Sequence, residues 1–257
     1  MLRAVQHRLM ASDAAGLTTW VTAFALNGVL IALAQRVPLL TRAGWCHAAI
    51  LGTILWGCLG WQGWTAVVLY LALGSLVTKV GFQQKQRQGL AEARGGRRSP
   101  ANVWGSAAVG AFLALLIGSG LGPKPLLLVG FSASFAAKLA DTFGSEIGKR
   151  YGRTTVLITT LRRVPPGTEG AVSLEGTLAS AIGSLVMTAV VVAVQLVPAG
   201  PLAWLVAAVG LLATLLESLL GALLQERTPW LTNEMVNAIQ TAVAAVLGMA
   251  AVVVLAS

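Results

Sequence analysis

FSASFAAKLADTFGSEIGK, residues 131–149, has the small, apolar texture of a membrane-spanning helix and continues PLLLVG (125–130) without a break. Yet Lys138, Asp141 and Glu146 lie within it. An ionised side chain at the middle of a bilayer costs about 3 kcal/mol even on the lenient insertion scale. On a helix turning about 100° per residue, Lys138, Asp141, Thr142, Ser145, Glu146 and Lys149 share an arc of about 140°. Leu139, Ala140, Phe143, Gly144 and Ile147 fill the rest. The charges therefore face a bundle interior or a water-filled cleft. A purely structural Lys138–Asp141 pair leaves Glu146 and the hydroxyls without a role, so the face reads as a functional site.

The surrounding chain supplies the bundle. Of 257 residues, 56% are hydrophobic and 11% charged, whereas soluble domains average about 25% charged. This is the composition of an integral membrane protein. Each crossing needs about 20 apolar residues, and eight segments qualify: 17–35, 44–61, 63–82, 104–121, 125–147, 171–197, 201–224 and 233–255. The second and third are divided at WQGW (61–64), where Gly63 suits a turn or bend and the Trp pair suits an interfacial belt. The expected fold is a single-domain, all-α polytopic bundle of about eight transmembrane helices. TTVLITT (154–160), β-branched and bounded by Gly and Pro, predicts a small cytoplasmic β element.

Charge gives the orientation. Fourteen of the 18 Lys and Arg residues fall on alternate connections, and only Arg3, Arg8 and Lys124 fall on the others. By the positive-inside rule the richer side is cytoplasmic and both termini lie outside. Ala32-Leu33-Ala34 resembles a signal-peptidase site, but cleavage there would strand Arg36 and Arg42 outside, so an uncleaved first helix is expected. The net charge of +9 is thereby accounted for, and no nucleic-acid partner is inferred from it. Cys46, Cys58, His7 and His47 form no paired ligand motif, so neither zinc nor a disulfide is indicated.

Polar groups elsewhere converge on the cytoplasmic ends of the spans. Glu217 and Ser218 interrupt LLATLLESLLGALL (211–224). The last span begins LTNEMVNAIQTAV, with Asn233, Asn237, Gln240 and Thr241 on one stripe. Gly176, Ser180 and Ser184 also share a face, which reads as small-residue helix packing. In PPGTEG (165–170), Gly167, Thr168, Glu169 and Gly170 are expected to open a helix whose N–H groups suit an anion, with Arg162 and Arg163 just before it. GGRRSPANVWG (95–105) joins a flexible basic turn, including Arg98, to Asn102. Neither string matches a Walker or dinucleotide fingerprint. With intramembrane carboxylates they describe a metal–phosphate site, carboxylate and Asn oxygens for Mg²⁺ and cations for phosphate. A cation-coupled transporter is the competing class. The absence of detectable inverted repeats argues against it.

GGRRSPANVWGS, SASFAAKLADTFGSEIGK, ITTLRRVPPGTEGAVSLEGT, LESLLGALLQ and LTNEMVNAIQT, in that order from about residue 40 onward, resemble the phytyl-phosphate kinase family of integral membrane proteins. That family is distantly similar to CTP-dependent polyprenol kinases. The resemblance implies transfer of a nucleotide γ-phosphate, from CTP, to phytyl or a related prenyl monophosphate, giving phytyl diphosphate for tocopherol synthesis. It implies Mg²⁺ as cofactor and an active site at the cytoplasmic side, open to membrane lipid for the prenyl chain. Lys138, Asp141 and Glu146 would be catalytic; Asp141, Glu146, Glu217, Asn233 and Asn237 would hold the metal. Arg98, Asn102, Arg162, Arg163 and Gly167 to Gly170 would bind nucleotide phosphates. Glu217 and Glu234 stand where the family pattern often has Asp, keeping the charge while lengthening the reach.

Overall fold

A computed structural model describes residues 2–225, 228 and 230–256, with side-chain surroundings described from residue 16 onward. Of the charges used for orientation, Arg3, Arg8 and Arg227 fall outside the described side chains. The long helices are α1 (Leu2–Ala34), α2 (Arg42–Lys79), α4 (Pro100–Gly118), α5 (Lys124–Tyr151), α6 (Leu174–Ala193), α7 (Pro201–Leu224) and α8 (Asn233–Ala256). Among the described residues these seven helices are long and apolar enough to cross a membrane. The protein is a polytopic, all-α, multi-pass membrane protein.

The expected count of about eight and the seven helices differ at α2. Its 38 residues would make a straight rod of about 57 Å, nearly twice the hydrocarbon thickness. It is not straight. Gly60 has φ 68° and ψ −162°, open to glycine and forbidden to side chains with a Cβ. Arg98 touches both halves: its carbonyl oxygen lies 2.5 Å from the Cβ position of Gly44, and its Nη2 lies 2.7 Å from that of Gly74. A straight helix would separate those glycines by about 45 Å. The chain therefore folds back at Gly60, where Trp56 and Trp64 pack edge-on with ring centroids 5.6 Å apart. α2 is one helix by continuity and two rods by geometry. The turn falls at Gly60, not within WQGW, whose Gly63 is helical and buried.

α5 is the centre of the bundle. Its apolar window is 78% buried, against 44% or less for every other long helix, and α2, α4, α6, α7 and α8 all pack on it. Lipid offers helices little hydrophobic drive to associate, so small residues that permit close contact matter most. The α5–α6 seam is built this way. A Cβ on Gly176 would lie 3.0 Å from the Gly144 carbonyl oxygen, and one on Gly183 would lie 2.8 Å from that of Leu139. Ser184 Oγ donates to the Ala207 carbonyl at 2.7 Å, tying α6 to α7. The packing reading of the Gly176–Ser180–Ser184 face holds.

The long connections collect at one end. α3 (Phe82–Arg87) and a 3₁₀ turn (Ala93–Gly96) fill the first. In the second, β1 (Val156–Leu157) pairs antiparallel with β2 (Ala171–Val172), and Val156 also bridges Arg163. The small β element is thus present, with TTVLITT supplying one strand and its partner coming from beyond PPGTEG. Three long helices that start here, α2, α4 and α6, carry side-chain caps. Thr41 accepts from Gly44 N at 3.0 Å and Ser173 from Gly176 N at 3.1 Å, while Ser99 and Asn102 form a reciprocal capping box ahead of Pro100.

Candidate functional site

A cavity of about 370 Å³ lies at this end, walled by α4, α5, α6, α7 and α8 and rimmed by both connecting loops. Twelve residues expected at the site line it: Arg98, Asn102, Lys138, Asp141, Glu146, Gly167, Thr168, Glu169, Gly170, Glu217, Asn233 and Asn237. Arg162 and Arg163 do not. They are exposed, held in the tight β turn where Leu157 N donates to the Arg162 carbonyl at 2.9 Å.

PPGTEG also departs from expectation. It does not open a helix, because Gly167 and Gly170 adopt φ of 87° and 73°, left-handed conformations that break helical propagation. The next helix begins at Leu174 behind its Ser173 cap. Residues 165–170 are a loop on the rim, in which Thr168 Oγ1 donates to the Pro165 carbonyl at 2.8 Å. A Cβ on Gly170 would collide with Ala222 and with the Ser218 carbonyl, so this loop sits hard against α7.

On α5 the three charges have separate partners. Lys138, buried, pairs with Asp141 and donates at 2.8 Å to Asn237 Oδ1 on α8. An ammonium has no acceptor, so the Asn237 oxygen must face it. Glu146, equally buried, is paired with Lys85 of α3. Lys85 is fully enclosed, and its Nζ also donates to the Thr78 carbonyl at 3.0 Å. In the sequence Lys85 is one more cytoplasmic charge, and nothing in FQQKQRQ (82–88) distinguishes it from its neighbours. Glu146 and Asn237 thus each accept from a buried ammonium, as Asp141 does from Lys138.

Other residues organise the rim. Asn102 Oδ1 accepts from Arg94 at 3.0 Å and from Ser99 N at 2.9 Å, while its Nδ2 donates to Glu234 Oε1 on α8 at 3.0 Å. Asn102 is therefore a knot joining α4, the basic turn and α8. One turn below Asn237, Gln240 Nε2 donates to the Ala137 carbonyl and to Thr214 Oγ1, at 3.2 and 3.1 Å. Three helices are clamped just beneath Lys138.

Glu217 is different. It makes no hydrogen bond or ion pair to a described residue, yet its electrostatic neighbours are Asp141, Lys138 and Glu169. Asp141, Glu169 and Glu217 line one cavity with Lys138, and several carboxylates around a single lysine invite a cation. Among the described residues no cluster of three or more Asp, Glu, His or Cys is close enough to hold an ion unaided. Mg²⁺ commonly uses one or two carboxylates and completes its shell with substrate phosphates and water. Oxygen donors from Asp141, Glu217 and Asn233 fit that pattern.

Comparison with known proteins gives a consistent picture. A family model described as "Integral membrane protein DUF92" matches residues 25–245. The chain is 48% identical over 233 residues to "Uncharacterized membrane protein sll0875" of Synechocystis sp., covering 90% of each. It is 39% identical over 239 residues to "Protein VTE6, chloroplastic" of Arabidopsis thaliana, covering 90% of this chain and 71% of that one. "Uncharacterized membrane protein MJ0933" of Methanocaldococcus jannaschii is 31% identical over 225 residues, covering 86% of this chain and 89% of the relative. No solved structure matches.

Proposed function

This chain belongs to the DUF92 family of integral membrane proteins, and on that premise we propose that it is a prenyl-monophosphate kinase transferring a nucleotide γ-phosphate to phytyl or a related isoprenoid monophosphate. The observation that carries the reading is the juxtaposition of Asp141 and Glu217 with Lys138 at a cavity whose rim holds Arg94, Arg97 and Arg98. Phosphoryl transfer asks little covalent work of a protein. It asks for cations placed around the transferring group and for reactants held in line.

The roles follow from the positions. Lys138, fixed by Asp141 and Asn237, presents a localised positive charge from inside the bundle. Arg98 presents a second from the α2–α4 side, and the loop Gly167 to Gly170 closes the α7 side. Asp141 and Glu217, with Asn233, would hold Mg²⁺, which would supply positive charge to neutralise phosphate oxygens. Burial of the site among helix ends suits an acceptor whose C20 chain stays in lipid while its phosphate meets cations. CTP as donor, tocopherol synthesis as destination and a cytoplasmic site rest on the family resemblance and the charge asymmetry.

The test is an assay with purified protein, Mg²⁺, CTP, ATP, GTP or UTP, and phytyl or geranylgeranyl monophosphate. Formation of the prenyl diphosphate with one nucleotide preferred is the expected result. No diphosphate with any pair, from protein shown to be folded, would refute the proposal.

A further inference from the structure

Arg98 is fixed along its whole length. Its backbone N–H donates to the Leu39 carbonyl at 3.0 Å, and its own carbonyl accepts from Thr41 N at 3.0 Å. This ties the residue to the start of α2's first half. Its side chain runs to the second half, where Nη1 donates to the Tyr70 hydroxyl at 2.8 Å and the guanidinium carbon stands 5.4 Å from the Tyr70 ring centroid. Nη2 lies 2.7 Å from where a Gly74 Cβ would be, so any side chain there would displace the guanidinium.

Tyr70 is itself immobilised. It is 4% exposed, and its ring packs on Phe135 of α5 with centroids 5.5 Å apart, one turn before Lys138. Among the described residues Arg98 has no carboxylate partner, although it lines the cavity. A guanidinium carries five N–H donors in a fixed fork and keeps its charge at every physiological pH. Here one donor is spent on a neutral hydroxyl, and no carboxylate among the described residues compensates the charge. Arginine held this way, at a polar cavity, is pre-organised for an anion.

We propose that Tyr70 is a positioning residue that aims Arg98 at a phosphate in the cavity, with Gly74 kept bare to admit the guanidinium. The proposal rests on the phosphoryl-transfer reading for the identity of the anion, but the geometry requires only an anion. Its mark is coupling: Tyr70 should matter to ligand binding only through Arg98.

A double-mutant cycle on the full chain tests this, with Y70F, R98A and Y70F/R98A. Inorganic pyrophosphate is the first probe, read as the rise in Tm that it gives in detergent, and the Michaelis constants of the two substrates are the second. Y70F should weaken pyrophosphate binding about threefold to tenfold, R98A more strongly, and the double variant no more than R98A alone. In turnover, Y70F should raise the same Michaelis constant that R98A raises. G74A should reproduce Y70F. Additive effects, or a Y70F defect in Tm without ligand and none in ligand response, would overturn the positioning role. So would wild-type binding of pyrophosphate that R98A leaves unchanged. A coupled cycle for pyrophosphate with no prenyl-phosphate turnover would uphold Tyr70 while removing the kinase reading.

Discussion

Lys85 Nζ, from a six-residue helix in the first long connection, is paired with the carboxylate of Glu146 near the end of the central helix, with both groups buried. Breaking a buried pair leaves one charge without compensation and costs about 3–5 kcal/mol. K85M and E146Q should each lower thermal stability in detergent by an amount of that order and speed proteolysis within residues 82–98. The charge-swapped K85E/E146K should recover much of the loss. A stable single variant would show that the pair holds nothing in place.

Asp141 invites a different outcome. D141N removes the carboxylate from Lys138, but the ammonium keeps Asn237 Oδ1 at 2.8 Å. Loss of one charged hydrogen bond should cost about 1.5–3 kcal/mol, while turnover should fall at least about a hundredfold because an electrostatic element of the site is gone. Circular dichroism and Tm beside the kinase assay read both. Full activity in D141N would assign the pair to the fold alone.

For Glu217 stability and activity should move in opposite directions. It has no described hydrogen-bonding partner, and Asp141 and Glu169 are among its electrostatic neighbours. E217Q removes a carboxyl that has two acidic neighbours, so the Tm should rise slightly while turnover collapses. Raising Mg²⁺ should increase the Tm of the parent and not that of E217Q. Equal stabilisation of both by Mg²⁺ would take Glu217 out of the metal set.

The arginines of the two loops should separate cleanly. R162A/R163A changes exposed residues of the β turn, away from the cavity, and should leave both Michaelis constants within about twofold, as surface changes usually do. R98A should raise one of them at least about tenfold. A large effect of the double variant would mean that the second loop closes inward during turnover.

Topology can be read by labelling. In a cysteine-free background, cysteine at Arg97, on the cavity rim, and at Lys124, the first residue of α5, should react from opposite faces of the membrane, with Arg97 on the cytoplasmic one. Reaction from a single face would refute the crossing by α4 (Pro100–Gly118), the helix that separates the two sites.

The sequence by itself determined the solvent and the polar face of the central helix. Apolar runs of about 20 residues dictate helices that satisfy their own backbone in lipid. Charges at i, i+3 and i+8 on 131–149 can only share a face if that segment is helical, so Lys138, Asp141 and Glu146 were legible together, and the Asn233–Asn237 stripe likewise. These are local facts, fixed by helix geometry and by the cost of exposing charge to lipid. What only the tertiary structure decided is which charges meet. Glu146 reads from the sequence like Asp141, yet a lysine 61 residues away takes it, and Asn102 is drawn into a knot with Glu234, 132 residues on. Arg162 and Arg163 read like phosphate ligands, but the positive φ angles of Gly167 and Gly170 turn the expected helix into a loop. The fold-back at Gly60 brings Tyr70 and Gly74 to Arg98. Such pairings depend on how helices and loops pack against one another, and no spacing along the chain encodes them.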